Sequence, residues 1–167
     1  MDSPDPADHS ALAAALAAPA NQPDASFAAL AALADDLAGA RLFTVLAFDF
    51  PRGVARRLYS THQLIYPVGV DDPISDTIWE RTLIGERRPL VFNDREALAT
   101  LLPNTEELAA LGFGAMLNLP VVVGGQTIGT LNMLHQTGRY TPERVAAAQA
   151  LSPAAAAMLL WTEKQGH

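Results

Sequence analysis

The 167-residue sequence contains no cysteine, and this absence excludes several kinds of chemistry at once. Disulfide bonds, thiolate nucleophiles, thiolate metal sites and iron–sulfur clusters all need cysteine side chains. The absence is also compatible with a reducing compartment. Any function of this chain must therefore work without a thiol.

Positive charge is scarce as well: 11 Lys and Arg residues stand against 18 Asp and Glu residues, which gives a formal net charge of −7. An acidic surface repels both the phosphate backbone of nucleic acids and anionic lipid headgroups. We therefore expect neither nucleic acid nor a membrane surface as a partner. The same acidity also has a simpler interpretation, which is that it keeps the domain soluble.

Targeting signals are missing too. No stretch of the sequence approaches the roughly 18 continuous apolar residues that span a bilayer. The apolar stretch 11–20 follows Asp2, Asp5 and Asp8, whereas a secretion signal carries positive charge at that place. The sequence therefore predicts a cytoplasmic protein.

Motifs for metals, nucleotides and nucleophilic catalysis are not found either. The histidines are His9, His62, His135 and His167, and no two of them have metal-ligand spacing. The glycines form neither a G-x-G-x-x-G fingerprint nor a phosphate-binding P-loop, and no G-x-S-x-G nucleophile elbow occurs. We predict no metal site and no cofactor.

Helical and strand patterns alternate along one domain-sized segment. Residues 1–23 mix Ala, Pro and Asp without a useful apolar face, so they are predicted to form a flexible tail with at most a transient helix. The domain is predicted over 24–162, followed by a tail at 163–167. Its predicted elements are a helix at 24–37, strands at 41–49 and 54–61, a helix at 76–85, a strand at 88–92, helices at 95–102 and 105–111, strands at 115–123 and 127–135, and a helix at 142–162.

Turn and cap residues support this order. Gly124 and Gly125 predict a tight hairpin turn, and Thr141 followed by Pro142 predicts the start of the last helix. Pro153 should kink that helix, because proline cannot donate a backbone hydrogen bond. Strands that neighbour each other through hairpins, with helices before and after, predict an α+β fold with an antiparallel sheet between two helical layers.

The segment Leu119–Leu131 reads Leu-Pro-Val-Val-Val-Gly-Gly-Gln-Thr-Ile-Gly-Thr-Leu and resembles the hairpin of GAF domains. In that superfamily a strand ending near a proline precedes a glycine turn and a strand that opens with Ile-Gly-hydrophobic. With the flanking helices, the resemblance covers about 24–162. It implies a central antiparallel sheet with the terminal helices on one face and a ligand cavity under helices and loops on the other. It also implies a homodimer formed through the terminal helices.

One enzymatic branch of the superfamily, the free methionine-(R)-sulfoxide reductases, is excluded. Those proteins depend on cysteines, and they carry acids where this chain has Met116, Asn132 and Leu134. Bilin-binding members attach their chromophore to cysteine, so covalent attachment of that kind is excluded as well.

The same comparison points to candidate binding residues. If the matched positions face the cavity, alternate residues of each strand do so too: Met116 with Asn118, and Thr130 with Asn132 and Leu134. Asn118 and Asn132 would then be neighbours on an otherwise apolar surface. We predict that their amides orient a polar ligand. The alternative is that they satisfy each other, a loop backbone or buried water.

A second group of candidates follows from the preceding strands and helix. An inward Arg57 beside Tyr59 would grip a carboxylate, the alternative being a surface ion pair. Thr61 and Tyr66 belong to a connection that is predicted to close over the cavity as a lid. Trp79 would either stack on a planar ligand or belong to the core.

Three functions remain open on the sequence. The first is a sensory module without catalytic activity, which binds a small organic molecule of aromatic or amide-bearing type and acts through a separate signalling partner. The second is an enzyme that acts on a small metabolite with Arg57, Ser60, Thr61 and His62, although no acid–base pair emerges from their spacing. The third is an interaction module whose core is filled and takes no ligand.

Overall fold

The computed structural model describes residues 6–166 of the chain. A π-helical segment, Arg81–Gly85, continues the short helix Ile78–Glu80, and a 3₁₀ segment, Gln149–Leu151, joins the helices Pro142–Ala148 and Ser152–Lys164. The elements follow in the order α1 (Pro6–Ala17), α2 (Asp24–Leu37), β1 (Leu42–Asp49), β2 (Val54–Ser60), β3 (Asp71–Pro73), α3 (Ile78–Glu80), β4 (Leu90–Phe92), α4 (Arg95–Ala99), α5 (Thr105–Ala110), β5 (Ala115–Val123), β6 (Gln126–His135), α6 (Pro142–Ala148) and α7 (Ser152–Lys164).

The strands form a six-stranded sheet in the order β3-β2-β1-β6-β5-β4, and each neighbouring pair is antiparallel. The predicted α+β fold with a central antiparallel sheet is confirmed. β3 was not predicted, because its sequence Asp-Asp-Pro has no strand pattern. It is a strand only because it pairs with β2, where Val54 lies opposite Pro73.

Two glycine sites shape the β5–β6 hairpin and its contacts. Gly124 and Gly125 adopt φ angles of 59° and 79°, which is the pair of positive values that a tight type I′ turn requires. A Cβ at Gly129 would overlap the carbonyl oxygen of Leu46 and lie 2.7 Å from the side chain of Leu159. Gly129 therefore allows β6 to lie close to both β1 and α7.

One face of the sheet is covered by α2, α6 and α7, as the resemblance implied. The apolar stripe of α2 and the buried side of α7 pack on this face and form a filled core. Its buried members include Phe27, Leu30, Phe43, Val45, Leu117, Leu131, Leu151, Met158 and Leu159.

The N-terminal segment differs from the flexible tail predicted for 1–23, of which residues 1–5 lie outside the described part. Residues Pro6–Ala17 form α1, and its Leu12 is buried in the same core as α2. The side chain of Gln22 donates to the carbonyl oxygen of Ala15 at 2.7 Å and so closes the connection to α2. The alanine-rich sequence hid this packing, because Leu12 and Leu16 are the only large apolar side chains of α1.

The last helical stretch begins and bends as its sequence predicts. Thr141 caps α6 by accepting from the backbone of Arg144, and Pro153 lies in the first turn of α7 after the 3₁₀ break. Among the described helices, the stretch Pro142–Lys164 is long and apolar enough to cross a membrane by length and composition. Helices that pack in a core meet the same criterion, and one side of this stretch is buried on the sheet.

The other face of the sheet carries a thinner layer made of α3, its π-helical continuation, α4 and α5. Leu83, Leu98, Leu108 and Phe113 of this layer form a second core with sheet residues such as Met116. Thr127 ties the layer to β6, because its hydroxyl donates to the carbonyl oxygen of Leu83 at 2.7 Å. This layer covers the sheet incompletely and leaves a cavity beside it.

Candidate functional site

A cavity of about 270 Å³ lies between the second face of the sheet and the thin helical layer. Strands β1, β2, β5 and β6 supply its floor, and residues of α3 and of the segment after α4 supply its walls. Most of its surface is apolar, which suits the body of a small organic molecule. The main apolar lining residues are Leu42, Leu46, Trp79, Leu101, Leu102, Met116 and Leu134.

A chain of polar side chains crosses the floor of the cavity. Asn118 Nδ2 donates to Asn132 Oδ1 at 2.7 Å, and Asn132 Nδ2 donates to Thr44 Oγ1 at 3.2 Å. The three residues lie opposite one another on β5, β6 and β1, so the sheet register brings them together. The two asparagines therefore bond to each other, which was the alternative to a pure ligand-binding role.

This row of hydrogen-bonded side chains on the cavity floor leaves one of its atoms without a partner. Asn118 is 2% exposed, and its Oδ1 has no hydrogen-bond partner among the described residues. A buried amide oxygen that has lost water without gaining a donor costs about 1–3 kcal/mol. The asparagine pair is thus only partly satisfied by the protein itself, and its free acceptor belongs to a residue that lines the cavity.

Arg57 lines the opposite end of the cavity and is 9% exposed. Its Nη1 donates to the carbonyl oxygen of Pro67 at 3.1 Å, and its Nη2 pairs with Asp72 Oδ2 at 3.1 Å. The Nε atom is buried and has no partner among the described residues. The Arg57 side chain therefore points inward, as the binding hypothesis requires, and its guanidinium already forms an ion pair with Asp72.

Two aromatic side chains flank this end of the cavity. The ring of Tyr66 lies 5.2 Å from the guanidinium of Arg57 and stacks on it, and burial raises the pKa of its hydroxyl. Trp79 is half-buried and meets the ring of Phe48 edge to face at 5.9 Å. Both rings line the cavity and also pack against the second core, so that either of them contacts a ligand stays a prediction.

The α3 end of the cavity wall is fixed by a capping box formed by Thr77 and Glu80. The Thr77 hydroxyl accepts a hydrogen bond from the backbone N–H of Trp79. The Glu80 carboxylate in turn accepts from the backbone N–H groups of Ser75 and Thr77. Burial acts to raise the pKa of Glu80, but these hydrogen bonds outweigh it and lower the pKa below the ordinary 4.5. Glu80 is therefore ionised and already bonded where it lines the cavity.

Tyr59 was predicted to line the cavity, and this prediction is wrong. Its ring lies 5.8 Å from that of Phe27 and 6.3 Å from that of Phe43, on the face covered by the terminal helices. The reason is a β-bulge: Arg57 lies opposite Leu46, whereas Tyr59 lies opposite Val45. The extra residue on β2 places two side chains that simple alternation puts together on opposite faces.

Thr130 and Thr61 are also not among the cavity-lining residues. Thr130 follows the predicted alternation of β6, but it is fully buried and does not line the cavity. Thr61 is exposed, and its hydroxyl accepts from the backbone N–H of Phe43 at 2.9 Å, so it closes the β1–β2 pair instead of forming a lid contact.

The cluster proposed for an enzyme does not assemble in the cavity. The Ser60 hydroxyl accepts from the backbone N–H of His62, not from its imidazole, and His135 Nδ1 accepts from the backbone N–H of Gln136. Of the proposed residues only Arg57 lines the cavity. Within residues 6–166, no group of three or more His, Asp and Glu side chains is placed to hold a metal ion.

Several lining residues were missed by sequence reasoning. Thr44 completes the polar chain, and Asp72 pairs with Arg57 from β3. Thr44 alternates correctly with Leu42 and Leu46 on β1, so a strand pattern could have found it once the cavity face was known. Nothing in the sequence marks Asp72, because its strand exists only through pairing.

Both the sequence and the fold are similar to those of known proteins. The family model described as GAF domain matches residues 23–159. The chain belongs to the GAF domain family. No match is found among curated protein sequences.

Solved structures of other GAF-type domains share the fold at low sequence identity. The GAF domain of a phosphoenolpyruvate-protein phosphotransferase from Coxiella burnetii is 17% identical, with a TM-score of 0.70 over 95% of this chain and 94% of that one. A GAF domain/HD domain protein from Geobacter sulfurreducens is 21% identical, with a TM-score of 0.65 over 81% and 92%. The chromophore-binding domain of a bacteriophytochrome from R. palustris is 14% identical, with a TM-score of 0.66 over 96% and 61%.

The family membership defines the general class of function. GAF domains are sensory and ligand-binding modules of histidine kinases, phytochromes and chemotaxis proteins, and they are generally non-catalytic. At these identities the solved structures establish the fold alone. The ligand and the output of this GAF domain therefore have to be argued from its own residues.

Proposed function

We propose that this GAF domain is a sensory module that binds a small organic molecule in the 270 Å³ cavity and has no catalytic activity of its own. The observation that carries the proposal is the largely apolar cavity itself, whose lining includes the polar side chains of Thr44, Asn118, Asn132 and Arg57. Ligand pockets are typically of this kind, with an apolar lining and a few polar groups that orient the ligand.

The sheet offers a route from the cavity to the terminal helices. Thr44 faces the cavity, while its neighbours Phe43 and Val45 pack under α2 and α7. A ligand that shifts β1 or β6 would therefore shift the floor on which the terminal helices lie. In this proposal the change is passed to a separate signalling partner in the cytoplasm, and neither nucleic acid nor a membrane surface takes part.

A homodimer through the terminal helices is part of the same proposal. Leu160 and Trp161 of α7 are 40% and 39% exposed, which leaves apolar surface on the outer side of that helix. Light scattering of the purified domain is expected to give a dimeric mass. Trp161→Arg is expected to lower that mass to the monomer without unfolding the domain, because Trp161 contributes little to the core. An unchanged mass would remove these residues from the interface.

The alternative of an interaction module without a ligand predicts a cavity filled by side chains, which the 270 Å³ volume disfavours. The enzymatic alternative needs a nucleophile or an acid–base pair beside the cavity. Its proposed residues Ser60, Thr61 and His62 lie outside the lining. Both alternatives are therefore weaker than ligand binding.

A thermal-shift screen against a broad panel of metabolites tests the proposal. A ligand at about a hundred times its dissociation constant stabilises a domain by about 2.7 kcal/mol, or roughly 5–10 °C for this chain length. Leu46→Trp, which fills the cavity floor, is expected to abolish the shift. Val122→Trp adds the same side chain at an exposed position of β5 and should preserve it.

The result against the proposal is also clear. A panel that yields no reproducible shift, or shifts that survive Leu46→Trp unchanged, would place any ligand elsewhere and remove the cavity from consideration.

A further inference from the structure

The arginine side chains of this acidic domain are unevenly paired with acids. Ion pairs with Asp or Glu engage Arg52, Arg56, Arg57, Arg81 and Arg88. Arg41, Arg139 and Arg144 form no ion pair with a carboxylate anywhere in residues 6–166. Arg41 directly precedes β1, and the other two follow β6. A domain with a net charge of −7 therefore carries a group of unpaired cations.

Two of these guanidinium groups share one oxygen atom. Arg139 Nε donates to the carbonyl oxygen of Ala38 at 3.0 Å, and Arg144 Nη1 donates to the same oxygen at 3.5 Å. Gly39 leaves room for the first of them, because a Cβ at Gly39 would overlap the Arg139 guanidinium. The two cations are held side by side and repel each other. The carbonyl end of α2 offsets only about half a unit of their charge.

The third guanidinium belongs to the same cluster. β1 pairs with β6 in antiparallel fashion, so the start of β1 lies beside the end of β6, where His135 is located. Burial lowers the pKa of His135, and the charges of all three arginines lower it further, against an opposing effect of Asp35. Arg41, Arg139 and Arg144 are thus close enough to one imidazole to act on it together.

The nearest acids do not neutralise the cluster. Asp35 Oδ1 accepts from the backbone N–H of Ala40 at 2.8 Å. Glu143 accepts from its own backbone N–H and from the Thr141 hydroxyl, and these bonds lower its pKa below the ordinary 4.5. Both carboxylates are therefore engaged by other groups. Three guanidinium groups face two carboxylates, and none of them forms an ion pair.

The free N–H groups of the cluster are open to solvent. Arg41 is exposed, and Arg139 and Arg144 are half-buried. None of the nitrogen atoms of Arg139 or Arg144 is among the buried, unpartnered side-chain atoms of the described chain. Each guanidinium carries five N–H donors, of which the fold uses few. An anion that arrives from solvent can therefore reach them directly.

The donor set suits a phosphoryl group better than a carboxylate. A carboxylate has two oxygens in one plane and satisfies one guanidinium fork. A phosphoryl group has three terminal oxygens in a tetrahedral arrangement and carries up to two negative charges, so it can bond to three guanidinium groups at once. The acidic surface elsewhere on the domain repels an extended polyanion, which restricts the site to a single phosphoryl group.

We propose that Arg41, Arg139 and Arg144 form a binding site for one phosphoryl group, carried by inorganic phosphate or by a phosphate monoester. None of these residues lines the 270 Å³ cavity, so the site is independent of the proposed function. A phosphoryl group bound there would cancel the repulsion between the two arginines that join α6 to the end of α2. Its binding would therefore strengthen the contact between these two helices.

An NMR titration of the full ¹⁵N-labelled chain tests the site with three probes at constant ionic strength. The probes are inorganic phosphate, methyl phosphate and acetate, at about pH 7.5, where a phosphate monoester carries nearly two negative charges. Inorganic phosphate is expected to cause saturable shifts of the backbone amides around Gly39 and Arg139, with an affinity at least about tenfold higher than that of acetate. Equal binding of methyl phosphate would identify monoesters as ligands, whereas binding of inorganic phosphate alone would identify the free ion.

Matched glutamine variants assign the binding to the cluster. Arg41→Gln and Arg144→Gln are each expected to weaken phosphate binding about tenfold, because each removes a charged donor. Arg41 makes no hydrogen bond within the described chain and contacts the ring of Phe113, so its replacement should preserve the fold. Arg87→Gln is the control. Arg87 is exposed and donates to the carbonyl oxygen of Gly125, at the opposite end of β6, and its loss should change the affinity less than about twofold.

Three outcomes would overturn the proposal. The first is a phosphate titration whose shifts grow without saturation. The second is an affinity for acetate equal to that for phosphate. The third is an equal effect of Arg87→Gln and of the two cluster variants, which would mean that only the overall charge of the domain matters. A metabolite screen without hits would reject the cavity proposal and leave this site standing.

Discussion

The asparagine pair on the cavity floor should respond asymmetrically to substitution. Asn132→Leu removes both hydrogen bonds that Asn132 makes and leaves the whole Asn118 amide without a partner at 2% exposure. Asn118→Leu instead removes an oxygen that is already unpartnered and leaves only Asn132 Oδ1 without its donor. Because Asn132 is half-buried at the cavity, water can reach that oxygen.

The magnitudes follow from the cost of buried, unsatisfied groups. Leaving the Asn118 amide unpaired costs about 1–3 kcal/mol, so Asn132→Leu is expected to lower the free energy of unfolding by about 2 kcal/mol. For a domain of this size that lowers the Tm by roughly 4–8 °C. Asn118→Leu is expected to change stability by less than about 1 kcal/mol. The double substitution should be more stable than Asn132→Leu alone, because removing both partners leaves no amide unsatisfied.

Urea unfolding of the four proteins, followed by circular dichroism, measures these differences. The coupling free energy between the two positions should be about 1–2 kcal/mol and favour the double variant. Matching leucines at both positions keeps side-chain volume comparable across the set. Additive effects, or a larger loss from Asn118→Leu than from Asn132→Leu, would falsify the proposed distribution of unsatisfied groups.

Three further predictions concern the frame around the site. Gly129→Ala should destabilise the domain by about 1–3 kcal/mol in urea unfolding, since its Cβ would meet Leu46 and Leu159; Gly85→Ala, which meets nothing nearby, should be almost neutral. Thr141→Ala should cost about 1 kcal/mol through the lost helix cap, and a change in Tm within error would mean that the cap is dispensable. The unaltered protein should have a higher Tm than Glu80→Gln above about pH 4.5. This difference in Tm should shrink as the pH falls through the lowered pKa of Glu80 in the folded state. A difference that grows on acidification would contradict the lowered pKa.

The hairpin region of the fold was readable because its signals are local. Alternation along β5 and β6, the Gly124–Gly125 turn and the Thr141 cap each depend on residues close in sequence. The same alternation, once the GAF resemblance had indicated the cavity face, put Met116, Asn118, Asn132 and Leu134 together, and all four line the cavity; their role in binding stays a prediction. Arg57, Tyr66 and Trp79 also line the cavity, and their contact with a ligand stays a prediction.

The errors share a physical origin in non-local contacts. The bulge in β2 depends on pairing with β1, and it places Tyr59 on the opposite face from Arg57. The packing of α1 depends on Leu12 reaching the core beside α2. Neither feature leaves a periodic trace in the sequence, because each arises from elements that are separate along the chain.

By itself, the sequence determined what chemistry this GAF domain lacks and which residues share a face in the regular parts of β5 and β6. Composition removes thiol chemistry, and the alternation follows from backbone geometry wherever a strand has no bulge. Only the tertiary structure decided which polar atoms stay without partners. Asn118 Oδ1 and Arg57 Nε are buried without a partner among the described residues, whereas other polar atoms of the same side chains bond to Asn132 and Asp72 across long separations in sequence.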